Sequence, residues 1–235
     1  VQGGEKNNDE RQDWSPPGAS ALAVTYAKNA AASIRSGVEI AFFGSGASPA
    51  ASLDALQISQ MLRDAGPLIT LKVFDAEGDK EECSKAAVLF FPTMNITGHN
   101  RGSVRFLGVP AGWGLRILAE ALVIASTGEA GLGPKTVDKL ASLRKPVVIK
   151  VFISPESEYC RRAAVLAVRM AVESRHVSAE LINSTDFPVL SRRYGVETTP
   201  KTIINDTIEV LGARSETDLV ERVLAATVPQ ARMYH

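Results

Sequence analysis

The chain has 235 residues, 45% hydrophobic and 22% charged, with Lys+Arg and Asp+Glu both totalling 26. A globular chain of this length forms one large or two small domains, and a formal charge of zero gives no footprint for nucleic acid or an anionic membrane. No apolar run approaches the ~18 residues a bilayer span needs and no signal-like segment opens the chain, so no membrane association is expected; the two cysteines, Cys83 and Cys160, exclude a disulfide framework and point to the cytoplasm.

In chain order, residues 1–18 are polar and rich in turn formers, and are expected to form a flexible arm. An Ala-rich helix over Ala19–Ser36 and a strand, "VEIAFF", follow. The turn "FGSGASP" then opens a helix whose buried face is Ala55, Ile58, Leu62 and Ala65. A second strand ends at Asp75, and Cys83 falls in a later helix, "DKEECSKAA", where Glu81 and Glu82 disfavour a thiolate; a semi-exposed structural cysteine is expected there. "FFPTMNI" and "VRFLG" read as an antiparallel hairpin joined by the long turn "TGHNRGS", and "TGEAGLGP" as a hinge.

Beyond the hinge the pattern repeats. "ASIRSGV" and "ASLRKPV" match at an offset of 109, as do the strands ending at Phe43 and Phe152. Pro92 and Pro200 align at 108, and Gly108 and Gly212 at 104, the difference falling in the longer hairpin turn of the first copy. In the second copy Val165, Val168 and Val172 mark the buried helix face. Each copy reads as strand, crossover helix, parallel strand and antiparallel hairpin, an α/β unit with a small mixed sheet flanked by helices. The expected division is an arm at 1–18, a first unit at 19–127, a linker and lead-in helix at 128–145, a second unit at 146–228 and a tail at 229–235.

The turn "SPESEYCRR" after the second unit's first strand places Ser-x-x-Cys at a helix start, with "TTP" before the third strand. These features, with "VRFLGVPAGWG", resemble the glutaredoxin-like protein disulfide oxidoreductases, proteins of two tandem thioredoxin folds, over about residues 20 to 228. A more distant resemblance is to the N-terminal domain of the flavoprotein component of alkyl hydroperoxide reductase. The resemblance implies thiol–disulfide chemistry on a protein or peptide substrate, with a nucleophilic cysteine where Ser157 stands and a resolving cysteine at Cys160. It also implies that Phe91–Pro92 and Thr199–Pro200 are cis and present backbone to a bound peptide.

Ser157 is either the vacated nucleophile position or a helix cap whose oxygen accepts an amide proton from around Cys160. Cys160 is either a lone reactive thiol or an inert, partly buried one. The first box has no cysteine, and Ser48 and Ser52 both qualify for its vacated positions. Without a complete Cys-x-x-Cys the expectation is a lineage member with at most one-cysteine redox activity at Cys160, or a redox-inactive module that binds proteins or peptides. No cofactor or metal is expected: Gly-x-Gly-x-x-Gly is missing, and His99 and His176 are isolated. "NIT", "NST" and "NDT" satisfy the glycosylation tripeptide but suit turns equally.

Overall fold

Alternating apolar residues place Val38, Ile40 and Phe42 on one side of a strand and Ala41 and Phe43 on the other, and the computed structural model, which describes residues 21–228, folds them as β1 (Val38–Gly44). The expected arm at 1–18 and tail at 229–235 lie outside the described residues. The first unit comprises α1 (Ala21–Ser33), β1, α2 (Pro49–Asp64), β2 (Ile69–Asp75), the short α3 (Lys80–Lys85), β3 (Thr93–Thr97), β4 (Ser103–Leu107) and α4 (Trp113–Thr127). The second comprises α5 (Pro134–Ala141), β5 (Val147–Ile153), α6 (Glu158–Glu173), β6 (Val177–Asn183), the short α7 (Pro188–Arg193), β7 (Lys201–Ile204), β8 (Ile208–Leu211) and α8 (Glu216–Ala225). The sequence repeat carries into space, since β1 and β5 begin 109 residues apart, as do α2 and α6.

Within each unit the first two strands pair in parallel through a crossover helix, and the hairpin adds antiparallel strands beside the first. The two mixed sheets are then joined. β4 pairs in parallel with β6, from Ser103↔Ser178 to Leu107↔Ile182, giving one eight-stranded sheet of order β2-β1-β3-β4-β6-β5-β7-β8. β4 and β6 would each be an open edge in an isolated unit, and pairing removes both rows of unsatisfied backbone groups. One face of the sheet carries the six longer helices and the main core, including the expected Ile58, Leu62, Val168 and Val172. Among the described residues the other face carries α3 and α7, over the smaller clusters around Phe43 and Phe152.

The longer hairpin turn of the first copy has a structural reason. It reaches the last turn of α6, where Arg101 and Gly102 donate their amides to the carbonyls of Val172 and Ala171 at 3.1 and 2.8 Å. Those helix-end carbonyls have no partner within the helix, so the turn caps the second unit with the first. Gly102 is required by closeness, because a Cβ there would lie 2.0 Å from the Val177 carbonyl oxygen. Gly102→Ala is therefore expected to lower unfolding stability by about 2 kcal/mol or more, measured by urea denaturation, since backbone cannot give way as a flexible side chain can.

Candidate functional site

The topology sets both box loops on one rim of the sheet. β1, β2, β4, β5 and β6 end there, and β3 and β7 begin there, so both prolines and the loops after β4 and β6 share it. The C-terminal edge of parallel strands is the usual place for a binding crevice in an open α/β sheet.

In the second unit the chain leaves β5 at Ile153 and enters α6 after Ser154, Pro155, Glu156 and Ser157. Ser157 occupies the N-cap position with an extended backbone, but its hydroxyl makes no capping hydrogen bond. That corrects the cap reading in its chemistry. The Cys160 amide donates instead to the Ser157 carbonyl at 3.2 Å, so the hydroxyl loses the amide expected for it. Cys160 is wholly buried, 0% exposed, and packs in the main core. Its Sγ accepts a hydrogen bond from the Ser154 amide at 3.4 Å, which folds the box loop back over the thiol.

The first unit reaches the same closure with other atoms. Ser48 is the N-cap of α2, and Ser52 Oγ accepts from the Ser45 amide at 3.1 Å as Cys160 Sγ does from Ser154. At the 109-residue offset Cys160 falls on Ala51, so Ser52 fills the role by contact and not by strict register. Glu77 completes the loop, accepting from Ser45 Oγ at 3.0 Å and from the Gly46 amide at 3.4 Å. Cys83 is buried beside Phe43 and Val88, which corrects the semi-exposed expectation: α3 turns it under the sheet. Burial first, and then Asp79, Asp75 and Glu77, push its thiol above the ordinary value and keep it protonated at neutral pH.

Both X-Pro bonds, Phe91–Pro92 and Thr199–Pro200, are cis. The prolines are buried, and their carbonyls accept from Gly108 and Gly212 at 2.9 Å each. Phe91 and Thr199 are half-buried, and among the described residues their amides make no hydrogen bond. Beside Thr199 runs a groove of about 340 Å³, lined by Ser154, Ser184, Thr185 and Ser191 with Pro188 and Val196, and by the oppositely charged Arg192 and Glu197. Ser184 Oγ donates to the Ile153 carbonyl at 2.7 Å and Ser191 Oγ to the Ser184 carbonyl at 3.1 Å, fixing the floor. Farther along the rim Leu89 is 81% exposed, and Phe90 meets Phe187 of the other unit edge to face at 5.8 Å.

Sequence reasoning passed over the pair that locks this rim. Asp186 Oδ2 accepts from the Val109 amide at 2.6 Å and from Asn183 Nδ2 at 2.9 Å, and Asn183 Nδ2 also donates to the Val109 carbonyl at 3.0 Å. The turn is tight: Gly108 has a φ of +95°, and a Cβ there would lie 2.5 Å from Asp186 Oδ2. The Trp113 amide donates a hydrogen bond to the Pro155 carbonyl at 3.0 Å, so the loop after β4 rests on the second unit's box. The only signal in the sequence was Asn-x-x-Asp at a strand end, whose "NST" suits a turn as well as a glycosylation tripeptide; Asn183 is buried and unavailable for modification. Among the described residues no group of three or more His, Cys, Asp or Glu side chains is placed to hold a metal, and no helix is long and apolar enough to cross a membrane.

Residues 147–225 match the thioredoxin domain family. A protein disulfide oxidoreductase from Aeropyrum pernix K1 is similar over 88% of this chain and 93% of its own, at 27% identity and a TM-score of 0.81. The alkylhydroperoxide reductase protein AhpF of Enterococcus faecalis is similar over 86% of this chain and 97% of that chain, at 18% identity and a TM-score of 0.77. Sso1120 from Sulfolobus solfataricus follows with 17% identity, 81% and 98% coverage and a TM-score of 0.57. No curated protein matches the chain. Two repeats of strand, helix, strand and Pro-led hairpin, each with a box at a helix start, define a tandem thioredoxin-fold protein. It is related to the protein disulfide oxidoreductases and shares the fold of the AhpF N-terminal domain, but its two cysteines, one in each unit, form no Cys-x-x-Cys.

Burial, the largest influence, raises the Asp186 carboxyl above its ordinary value of 3.8, against the hydrogen bonds from Val109 and Asn183. A group whose folded pKa is raised gives its full stabilisation below the unfolded value and loses it as pH rises through the folded one. Asp186→Asn removes that titration. Its stability relative to the wild type is expected to improve as pH rises from just below 3.8 through the folded value, read from urea midpoints across that window.

Proposed function

We propose that this member of the thiol–disulfide oxidoreductase lineage is a binding module that recognises extended protein or peptide segments along the rim, without two-thiol chemistry. The observation that carries this reading is the state of the second box. Disulfide reduction needs a thiolate that attacks a substrate sulfur, forming a mixed disulfide and releasing one substrate thiolate, and then a second thiol that displaces the other. The attacking position holds the Ser157 hydroxyl, and the resolving thiol of Cys160 has no solvent access. Recognition needs neither group. The free amides of Phe91 and Thr199 suit main-chain pairing with an extended segment, the mixed polar and apolar groove suits its side chains, and Leu89 with Phe90 suits an apolar one.

A second reading keeps one-cysteine redox activity at Cys160. The Ser154 amide, which donates to Cys160 Sγ at 3.4 Å, is the contact that favours it. Alkylation of the folded protein, resolved by mass spectrometry at each cysteine, separates the two. Binding without chemistry requires Cys83 and Cys160 to label only on unfolding, whereas rapid labelling of native Cys160 establishes the lone-thiol reading.

Recognition itself is tested with a reduced, carboxymethylated unfolded protein as ligand, followed by fluorescence anisotropy. Thr185→Trp fills the groove from an exposed position and is expected to weaken binding about tenfold or more without loss of stability. Equal affinity of wild type and variant removes the groove from the proposal.

A further inference from the structure

We infer that a second groove, on the helical side of the sheet, binds a diphosphate group. It has a volume of about 250 Å³ and is walled by Arg161, Arg162 and Arg169 of α6, by Arg214 between β8 and α8, and by Glu120 of α4 over a floor of Val165 and Leu166. Four guanidinium groups thus share one concavity with one carboxylate.

The internal partners leave most of that charge unmatched. Arg161 Nε is held by Glu120 Oε2 at 2.8 Å. Arg169 Nη1 reaches the Gly131 carbonyl at 3.4 Å, and its buried Nε has no partner among the described residues. Arg214 Nε lies 3.9 Å from Asp218 Oδ2, and Asp218 already receives Arg222 Nε at 3.1 Å on its other oxygen. The Arg162 guanidinium has no partner among the described residues and is exposed.

The close salt bridge to Glu120 gives a role in fold stability to Arg161 alone among the four. Arg161 closes the first turn of α6, where the helix macrodipole disfavours a cation, and Arg162 follows it with no carboxylate partner among the described residues. Clustered like charges add repulsion that an oxyanion would remove. Guanidinium forks match phosphate oxygens two at a time, and Arg162 and Arg214, on different elements, can each engage one phosphate of a linked pair while Arg161 and Arg169 are held from within. The groove has room for a diphosphate, whether free inorganic pyrophosphate or the diphosphate of a nucleotide.

The test is isothermal titration calorimetry at physiological ionic strength, which screens diffuse attraction between exposed charges. Inorganic pyrophosphate and ADP are titrated separately into the wild type, the double variant Arg162→Gln/Arg214→Gln, and Arg63→Gln, whose arginine pairs with Asp64 on α2 outside the groove. Saturable binding, weakened about tenfold or more by the double variant and unchanged by Arg63→Gln, is expected. ADP binding more tightly than pyrophosphate identifies a nucleotide as the source, and equal affinities identify the free anion. Absence of saturable heat with both ligands, or heat that the double variant leaves unchanged, overturns the assignment.

Discussion

The parallel pairing of β4 with β6 is the constraint on which the remaining architecture depends. A chain with two thioredoxin units could hold them as beads on a linker, with two rims facing in unrelated directions. Five register pairs between β4 and β6 remove that freedom and make one sheet with one rim. Each main-chain hydrogen bond contributes only about 1 kcal/mol net, so the ladder is not sufficient alone. It acts together with α4 packed on α6, with the hairpin turn against the end of α6 below, and with the Asn183, Asp186 and Val109 lock above. These contacts span the whole length of the junction, which disfavours independent opening of the two units.

Joining the units also determines what the second box can be. The loop after β4 belongs to the first unit, yet its Trp113 amide holds the Pro155 carbonyl inside the second unit's box loop. The same box loop donates the Ser154 amide to Cys160 Sγ beneath it. A loop fixed from both sides covers the thiol, and the covering is a property of the assembled sheet. Access to Cys160 therefore depends on the junction as well as on the local turn.

Much of the architecture was legible because it rests on local pattern. Period-two alternation in "VEIAFFG" and "VVIKVFI", helical spacing at Val165, Val168 and Val172, and the constant offset between copies are each written in a few neighbouring residues. The joint between β4 and β6 was not legible, since edge pairing between residues 75 apart in the chain leaves no periodic mark. Its traces were present but ambiguous: four extra residues in one hairpin turn, and an Asn-x-x-Asp that reads equally as a turn. At the site, Ser157 was correctly placed at the helix start, whereas its hydroxyl's partner depended on which acceptor the Cys160 amide would choose. The pairing of Arg214 with the arginines of α6 in one groove was likewise invisible, because it is made by tertiary contact alone.

The two boxes, compared atom by atom, bear on the meaning of the remaining cysteine. Each unit must turn sharply from a strand into a helix, and each leaves the amide of the first residue after the strand in need of an acceptor. In the first unit Ser52 Oγ supplies it, and in the second Cys160 Sγ does. A hydroxyl and a thiol meet the same geometric demand, and a hydroxyl has no redox chemistry. The presence of sulfur at Cys160 is thus explained by closure of the loop and by packing in an apolar core, where a small polarisable side chain is well suited. Catalysis would require that same sulfur to leave its amide and its buried position to reach a substrate, giving up the contacts that account for where it lies.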